Sequence, residues 1–266
     1  MKRSLLVLAL LGFVLVSCAV AESAPPTGLP TVQPATIQAS LTPTITSTPG
    51  PTLTPTPTPL FQDKSKNYFA TGTAFVSGLR SLPNSFDQPE NWPTGTFKSA
   101  DGQVVRSIQD KTYHWSVTAK NALFDSVDLK GSELPARFRV RVDGEVSKSG
   151  SLAPGVVGLK FRSDPVHGTF YLFAVNEFSQ TFSVSAHLST GWVTILSETG
   201  IPIAPIDLGN FMEIAADGPR YLLFISGRYI GAFEDDRLKS GGAGLAVELG
   251  AGQSADFDFY TFSLFR

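Results

Sequence analysis

Thr181-Phe-Ser-Val-Ser-Ala-His-Leu188 reads with a period of two: Phe182, Val184, Ala186 and Leu188 fall on one face, Ser183, Ser185 and His187 on the other. That alternation belongs to a half-buried strand of an antiparallel sheet. Just upstream, Thr169-Phe-Tyr-Leu-Phe-Ala-Val175 is apolar on both faces, with Tyr171, Phe173 and Val175 opposed to Phe170, Leu172 and Ala174. A strand of that kind is expected at the centre of a sheet, covered on both sides. Working outward, Tyr113–Thr118, Ala136–Val142, Val156–Phe161, Trp192–Leu196, Phe211–Ala215, Tyr221–Ile225, Arg228–Phe233, Gly244–Glu248 and Asp256–Leu264 also read as strands. Ser226-Gly227 is a two-residue hairpin signal between two of them. No stretch of ten or more residues carries a 3.6-residue period, and the only helical expectation is a short turn over Glu234–Lys239. About a dozen short strands at this spacing predict an all-β fold, an antiparallel two-sheet jelly-roll sandwich.

The first 59 residues read differently. Lys2 and Arg3 precede an apolar run from Leu5 to Val16. At about 1.5 Å per residue this run is too short for a hydrocarbon core of roughly 30 Å, so it reads as a secretory signal. Leu15-Val-Ser-Cys18 then resembles the bacterial lipobox, which implies cleavage before Cys18 and acylation of its thiol. Ala19 to Pro59 holds ten Pro and eleven Thr with Glu22 as its only charge, and it ends in Pro51-Thr-Leu-Thr-Pro-Thr-Pro-Thr-Pro59. Such a tract cannot bury enough apolar surface to offset ordering, and reads as an extended, disordered stalk. The expected organisation is a lipoprotein signal over 1–17, a lipidated cysteine and stalk over 18–59, and a β-sandwich domain over 60–266. The expected location is the cell envelope, outside the cytoplasm, with the membrane as partner through the lipid on Cys18.

Composition narrows the function. Once Lys2 and Arg3 leave with the signal, 19 of the 21 basic residues face 23 acidic ones, a net charge of −4 without blocks of like charge. Phosphate recognition needs clustered Lys and Arg, so nucleic acid is not an expected partner. Cys18 is the only cysteine, which excludes disulfides and cysteine-ligated metal. Stability must therefore come from burial, which 20 Phe can supply.

Several segments resemble the concanavalin A-like lectin/glucanase fold, in the branch labelled 3-keto-disaccharide hydrolase-like or laminin-G-like and found in bacterial surface lipoproteins. They are Phe86-Asp-Gln-Pro-Glu-Asn-Trp-Pro-Thr-Gly95, Gly158-Leu-Lys-Phe-Arg-Ser-Asp164, Tyr171-Leu-Phe-Ala-Val175 and Trp192-Val-Thr-Ile-Leu196. Leu222–Ile230, Gly241-Gly-Ala-Gly-Leu245 and Phe257-Asp-Phe259 continue the match, which spans Asn84 to Arg266. The resemblance implies a jelly roll that binds glycan or another extracellular ligand. Its hydrolytic members carry Glu-x-Asp-x-x-Glu on one strand, a run this sequence lacks. Glu234-Asp235-Asp236 has the wrong spacing, Glu213 and Asp217 lie four apart beside a turn, and Asp256 and Asp258 fall in the closing strand. No catalytic residue is assigned on this basis. A glycoside hydrolase or lyase of the 3-keto-disaccharide type and a structural or adhesion module for a protein partner stand as alternatives.

His114, His167 and His187 show no zinc spacing, and no Gly-x-Ser-x-Gly elbow is present. Sugars are held by aromatic faces and planar polar groups. On that basis the expected ligand face comprises Arg162, Asp164, His167, Tyr171, Trp192 and Arg228. The laminin-G-like resemblance adds calcium as the one cofactor to consider, with Asp164, Asp235 and Asp236 as its candidate ligands.

Overall fold

The structure is a computed structural model that describes residues 77–83, 85–149, 155–201, 203 and 210–266. The expected signal segment, Cys18, the stalk and residues 60–76 lie outside the described residues. Two short 3-10 turns, Ser85–Asp87 and Pro89–Asn91, precede the strands. In chain order these are β1 (Gly95–Lys98), β2 (Gly102–Gln109), β3 (Thr112–Ala119), β4 (Leu123–Asp128), β5 (Arg137–Ser149), β6 (Val156–Asp164) and β7 (Thr169–Asn176). They continue as β8 (Thr181–Leu188), β9 (Gly191–Thr199), β10 (Asn210–Asp217), β11 (Arg220–Ile225), β12 (Arg228–Glu234), β13 (Gly242–Leu249) and β14 (Ser254–Phe265).

The strands form two antiparallel sheets, one ordered β1-β2-β3-β14-β5-β10-β11-β12 and the other β4-β13-β6-β7-β8-β9. This is the two-sheet sandwich that the alternation predicts. Phe182, Val184 and Ala186 are fully buried, and β7 lies inside the six-stranded sheet with both faces covered. Ser226 and Gly227 both take positive φ, 48° and 75°, so the β11–β12 hairpin closes with the twist its strands require. The helical turn expected over Glu234–Lys239 is not formed; β12 runs to Glu234, and the Arg237 N–H instead donates to the Asp235 carboxylate at 3.0 Å.

The inner faces of the two sheets meet in a Phe-rich core. Tyr113, Trp115, Phe257, Phe259 and Phe262 from β3 and β14 fill one region, where Trp92 and Phe86 join them edge-on or tilted. Phe161, Tyr171, Tyr221 and Phe233 fill another. Each fully buried aromatic or aliphatic side chain contributes about 1.5–3 kcal/mol, and with no second cysteine this burial is what holds the sheets together.

Three strands, β1, β2 and β4, were not legible by alternation. All four residues of β1 are exposed. In β2 and β4 the inward positions include Arg106 and Asp125, whose side chains pair across the sandwich where apolar residues would be expected. Arg106 is 5% exposed and its guanidinium lies 4.5 Å from the Trp115 ring centre, so the charge is both paired and stacked. Asp125→Ala leaves that guanidinium buried alone. It should destabilise by about 2–3 kcal/mol, less than for a fully enclosed pair because Asp125 remains 23% exposed. The double change Arg106→Met with Asp125→Leu should restore most of the loss in urea unfolding.

Candidate functional site

Because β7 buries Tyr171, Phe173 and Val175 inward, Phe170, Leu172 and Ala174 must face outward, onto the outer surface of the six-stranded sheet. Around them the neighbouring strands place small residues, Ala246 and Gly244 of β13 and Gly158 of β6. Gly158 has no room for a side chain: a Cβ there would sit 2.7 Å from Leu172 Cδ1 and 3.1 Å from Ala246 Cβ. The floor is therefore low and apolar.

The rim of this face shows its shape. Phe124 stands on edge strand β4 and Trp192 on the opposite edge strand β9, five strand spacings apart. On a flat sheet at about 4.8 Å per spacing they would be separated by roughly 24 Å. Their ring centres are 5.4 Å apart, so the sheet curls and its outer face is concave. Phe170 lies beneath both, 5.9 Å from Phe124 and 5.4 Å from Trp192, and His187 completes the cluster 4.8 Å from Trp192. Trp192 nonetheless keeps 49% exposure, against 7% for Phe170. It is an aromatic surface braced from below and open above.

Polar groups flank it. Ser185 pairs with Thr194 and Ser183 with Ser197 across β8 and β9, presenting hydroxyls on the same face. His187 Nδ1 lies 2.7 Å from the Gly168 carbonyl, which requires the proton on Nδ1 and leaves Nε2 as an acceptor in the neutral ring. At the other side Lys160 Nζ donates to Asp128 Oδ2 at 3.0 Å and Ser126 Oγ at 3.4 Å, and lies 4.9 Å from the Phe170 ring centre. Glu248 faces outward between Phe124 and Val156, where burial pushes its carboxyl above the usual range.

The six residues expected on one ligand face are dispersed. Trp192 stands on the concave face. Asp164 and His167 occupy the β6–β7 turn, where the Asp164 carboxylate accepts from the Val166 and His167 N–H groups at 2.9 and 3.2 Å and pairs with His167 Nδ1 at 2.6 Å. Those bonds hold the Asp164 carboxyl below the usual range. The turn meets the concave face through the Gly168–His187 contact. Arg228 is exposed at the β11–β12 hairpin, on the other sheet. Arg162 and Tyr171 are interior. Arg162 has φ of +51° within the irregular β6 register, which turns its side chain inward after the equally buried Phe161. Its guanidinium donates to the Leu134 and Ala136 carbonyls at 2.7 and 3.2 Å.

Tyr171 donates to Asp235 Oδ1 at 2.6 Å and accepts from the Leu238 N–H at 3.1 Å. Asp235 is 3% exposed and also holds the Arg237 guanidinium. Burial pushes its pKa up, but the hydrogen bonds from Arg237 and Tyr171 prevail and hold it below the usual carboxylate range. The calcium candidates do not fit an ion in this arrangement. Asp235 is committed to Arg237, Asp236 is exposed beside Lys239 at 3.7 Å, and Asp164 caps its own turn. Among the described residues no group of three His, Cys, Asp or Glu is placed to hold a metal.

The three histidines lie apart. His187 is on the concave face and His167 in a turn. His114 is on the outer face of the eight-stranded sheet, where its Nδ1 lies 2.5 Å from Asp258 Oδ1 beside a cavity of about 430 Å³ that Asp256, Ser107 and Ser116 also line.

No protein-family model matches the chain, and no curated protein matches it. Among solved structures, LamAcat from Zobellia galactanivorans superposes with a TM-score of 0.50 at 10% identity, covering 73% of this chain and 100% of that one. The Emp47p carbohydrate recognition domain gives 0.45 at 15% identity over 72% and 98% of the two chains. The carbohydrate-binding module CBM66 from Bacillus subtilis gives 0.43 at 16% over 72% and 97%. The fold is the concanavalin A-like jelly roll.

Asp235 yields a pH prediction. Its folded pKa lies below its unfolded value of about 4, so its stabilisation is complete at neutral pH and is lost as pH falls through the lowered value. Asp235→Asn should cost about 2 kcal/mol at pH 7. In urea unfolding at pH 7 and pH 3 the gap between variant and parent should be smaller at the lower pH; a gap of equal size at both would contradict the assignment.

Proposed function

We propose that this chain is an extracytoplasmic lipoprotein, held at the membrane by a lipid on Cys18, whose jelly roll binds glycan non-catalytically on the concave face of the six-stranded sheet. The observation that carries the reading is Trp192: half exposed, braced by Phe124, Phe170 and His187, and bordered by the hydroxyls of Ser183, Ser185, Thr194 and Ser197. An aromatic face covers the C–H patch of a sugar ring while neighbouring hydroxyls exchange hydrogen bonds with its rim. The likeness to LamAcat concerns the fold, and the absent Glu-x-Asp-x-x-Glu run is why the role is read as binding.

A glycan array followed by titration calorimetry tests the reading. Trp192→Ala should weaken any glycan bound by the parent at least tenfold, about 1.4 kcal/mol, while leaving the unfolding midpoint nearly unchanged. Silence across a broad array, or binding indifferent to Trp192, would sink it. The anchor is checked separately: Cys18→Ser should abolish incorporation of radiolabelled palmitate and release the protein from the membrane fraction.

One observation favours hydrolysis instead, the His114–Asp258 pair beside its own cavity. A carboxylate that fixes an imidazole tautomer is the arrangement of a general base. On that reading His114→Ala abolishes turnover of a 3-keto-disaccharide panel; on the binding reading the parent shows no turnover above the uncatalysed rate.

A further inference from the structure

A larger cavity, about 590 Å³, opens at the rim of the six-stranded sheet where the β4–β5, β6–β7 and β12–β13 connections meet. That volume is within the range of small-ligand sites. It joins the aromatic face through an unbroken series of contacts: Trp192 to Phe170 at 5.4 Å, Phe170 to Lys160 Nζ at 4.9 Å, and Lys160 to Asp128 at 3.0 Å, with Asp128 in the cavity wall. Part of the wall is bare backbone. A Cβ on Gly241 would lie 2.4 Å from the Ser163 carbonyl oxygen, and one on Gly242 would lie 2.8 Å from Ser132 Oγ, so the connections close here only over glycine.

The side chains in the wall are mainly acceptors. Asp128, Glu133 and Asp164 contribute carboxylates, of which Asp164 is engaged by its own turn and His167, and the enclosed Asp128 Oδ1 has no donor among the described residues. Lys130 is the only ammonium in the wall, and even with Lys160 assigned to Asp128 the negative charge is in excess. Such a wall accepts from hydroxyl donors and repels a carboxylate or sulfate.

We propose that this cavity receives the terminal unit of a neutral glycan chain whose next units lie along the Trp192 face. The inference rests on the glycan reading above and adds two features to it, recognition of chain ends and exclusion of acidic ends. The three connections line the cavity, and on this proposal a chain running in from the aromatic face ends against them.

Calorimetry on the full chain with linear neutral gluco-, galacto- and manno-trisaccharides tests it. Each is compared with counterparts carrying a carboxylate at C6 of the non-reducing unit or at C1 of the reducing unit. The expected result is that a neutral trisaccharide binds at least tenfold tighter than one of its two acidic counterparts. Glu133→Lys, on the exposed wall, should reduce that ratio to below about threefold, and Asp128→Asn should weaken the neutral ligand. Equal affinity for neutral and acidic ends in the parent, or a ratio unmoved by Glu133→Lys, overturns the inference. If binding then still falls in Trp192→Ala, the glycan reading stands and only the end pocket is lost. Absence of binding across the whole panel overturns both.

Discussion

Strand periodicity ties the core of this protein to its surface. A strand in an antiparallel sheet cannot bury alternate residues without presenting the ones between them. In β7, Tyr171, Phe173 and Val175 are at most 1% exposed and pack against the eight-stranded sheet. Phe170, Leu172 and Ala174 are thereby fixed on the outer face, in a register that a one-residue slip would invert. The same stretch of sequence specifies the interior and the floor of the candidate site. The only cysteine is residue 18, beyond the described residues, and no disulfide shares that task.

The curl of the six-stranded sheet follows from what stands on that floor. Gly158, Ala246 and Ala174 occupy the middle of the outer face, where larger side chains would hold the strands apart. Large rings stand at the periphery and lean inward until Phe124 meets Trp192. A ring held by three neighbours has little rotamer freedom left to lose, so a sugar stacked on Trp192 keeps most of its contact energy. Concavity and preorganisation thus come from one distribution of side-chain sizes.

Much of this was legible before the structure. Alternation in Thr181–Leu188 and the doubly apolar Thr169–Val175 gave the sandwich and the central place of β7. Trp192 was only one of six residues grouped on an expected ligand face; the structure leaves it half exposed on edge strand β9. What stayed hidden has local causes. Arg106 and Asp125 occupy inward positions, so β2 and β4 lost their alternation, and with β4 went Phe124, half of the rim. Lys160 within the apolar run Val156–Phe161 was a signal of a paired charge, but its partner Asp128 belonged to the unseen strand. Arg162 follows Phe161 and by alternation should point away from the core. A positive φ places both residues inside, a backbone feature that residue types alone do not announce. Tyr171 was correctly placed on a face with Phe173 and Val175, and that face is the interior. Its hydroxyl is satisfied by Asp235 instead of a ligand.

The two outer faces divide the chemistry between them, and the division bears on which one meets a ligand. On the eight-stranded sheet the charged groups answer one another: Arg139 with Glu213 at 2.5 Å, His114 with Asp258 at 2.5 Å, and Arg141 stacked 3.8 Å from the Phe211 ring centre. These pairs are largely buried or half-buried, and a sugar binding there would compete with hydrogen bonds already made. On the six-stranded sheet Lys160 is neutralised by Asp128 at the side, and the central offer is an open ring with uncharged hydroxyls around it. A neutral ligand loses less on entering that face, since no ion must be stripped of its partner. On the proposed binding reading, the desolvation of charge, more than the amount of area covered, favours the concave side.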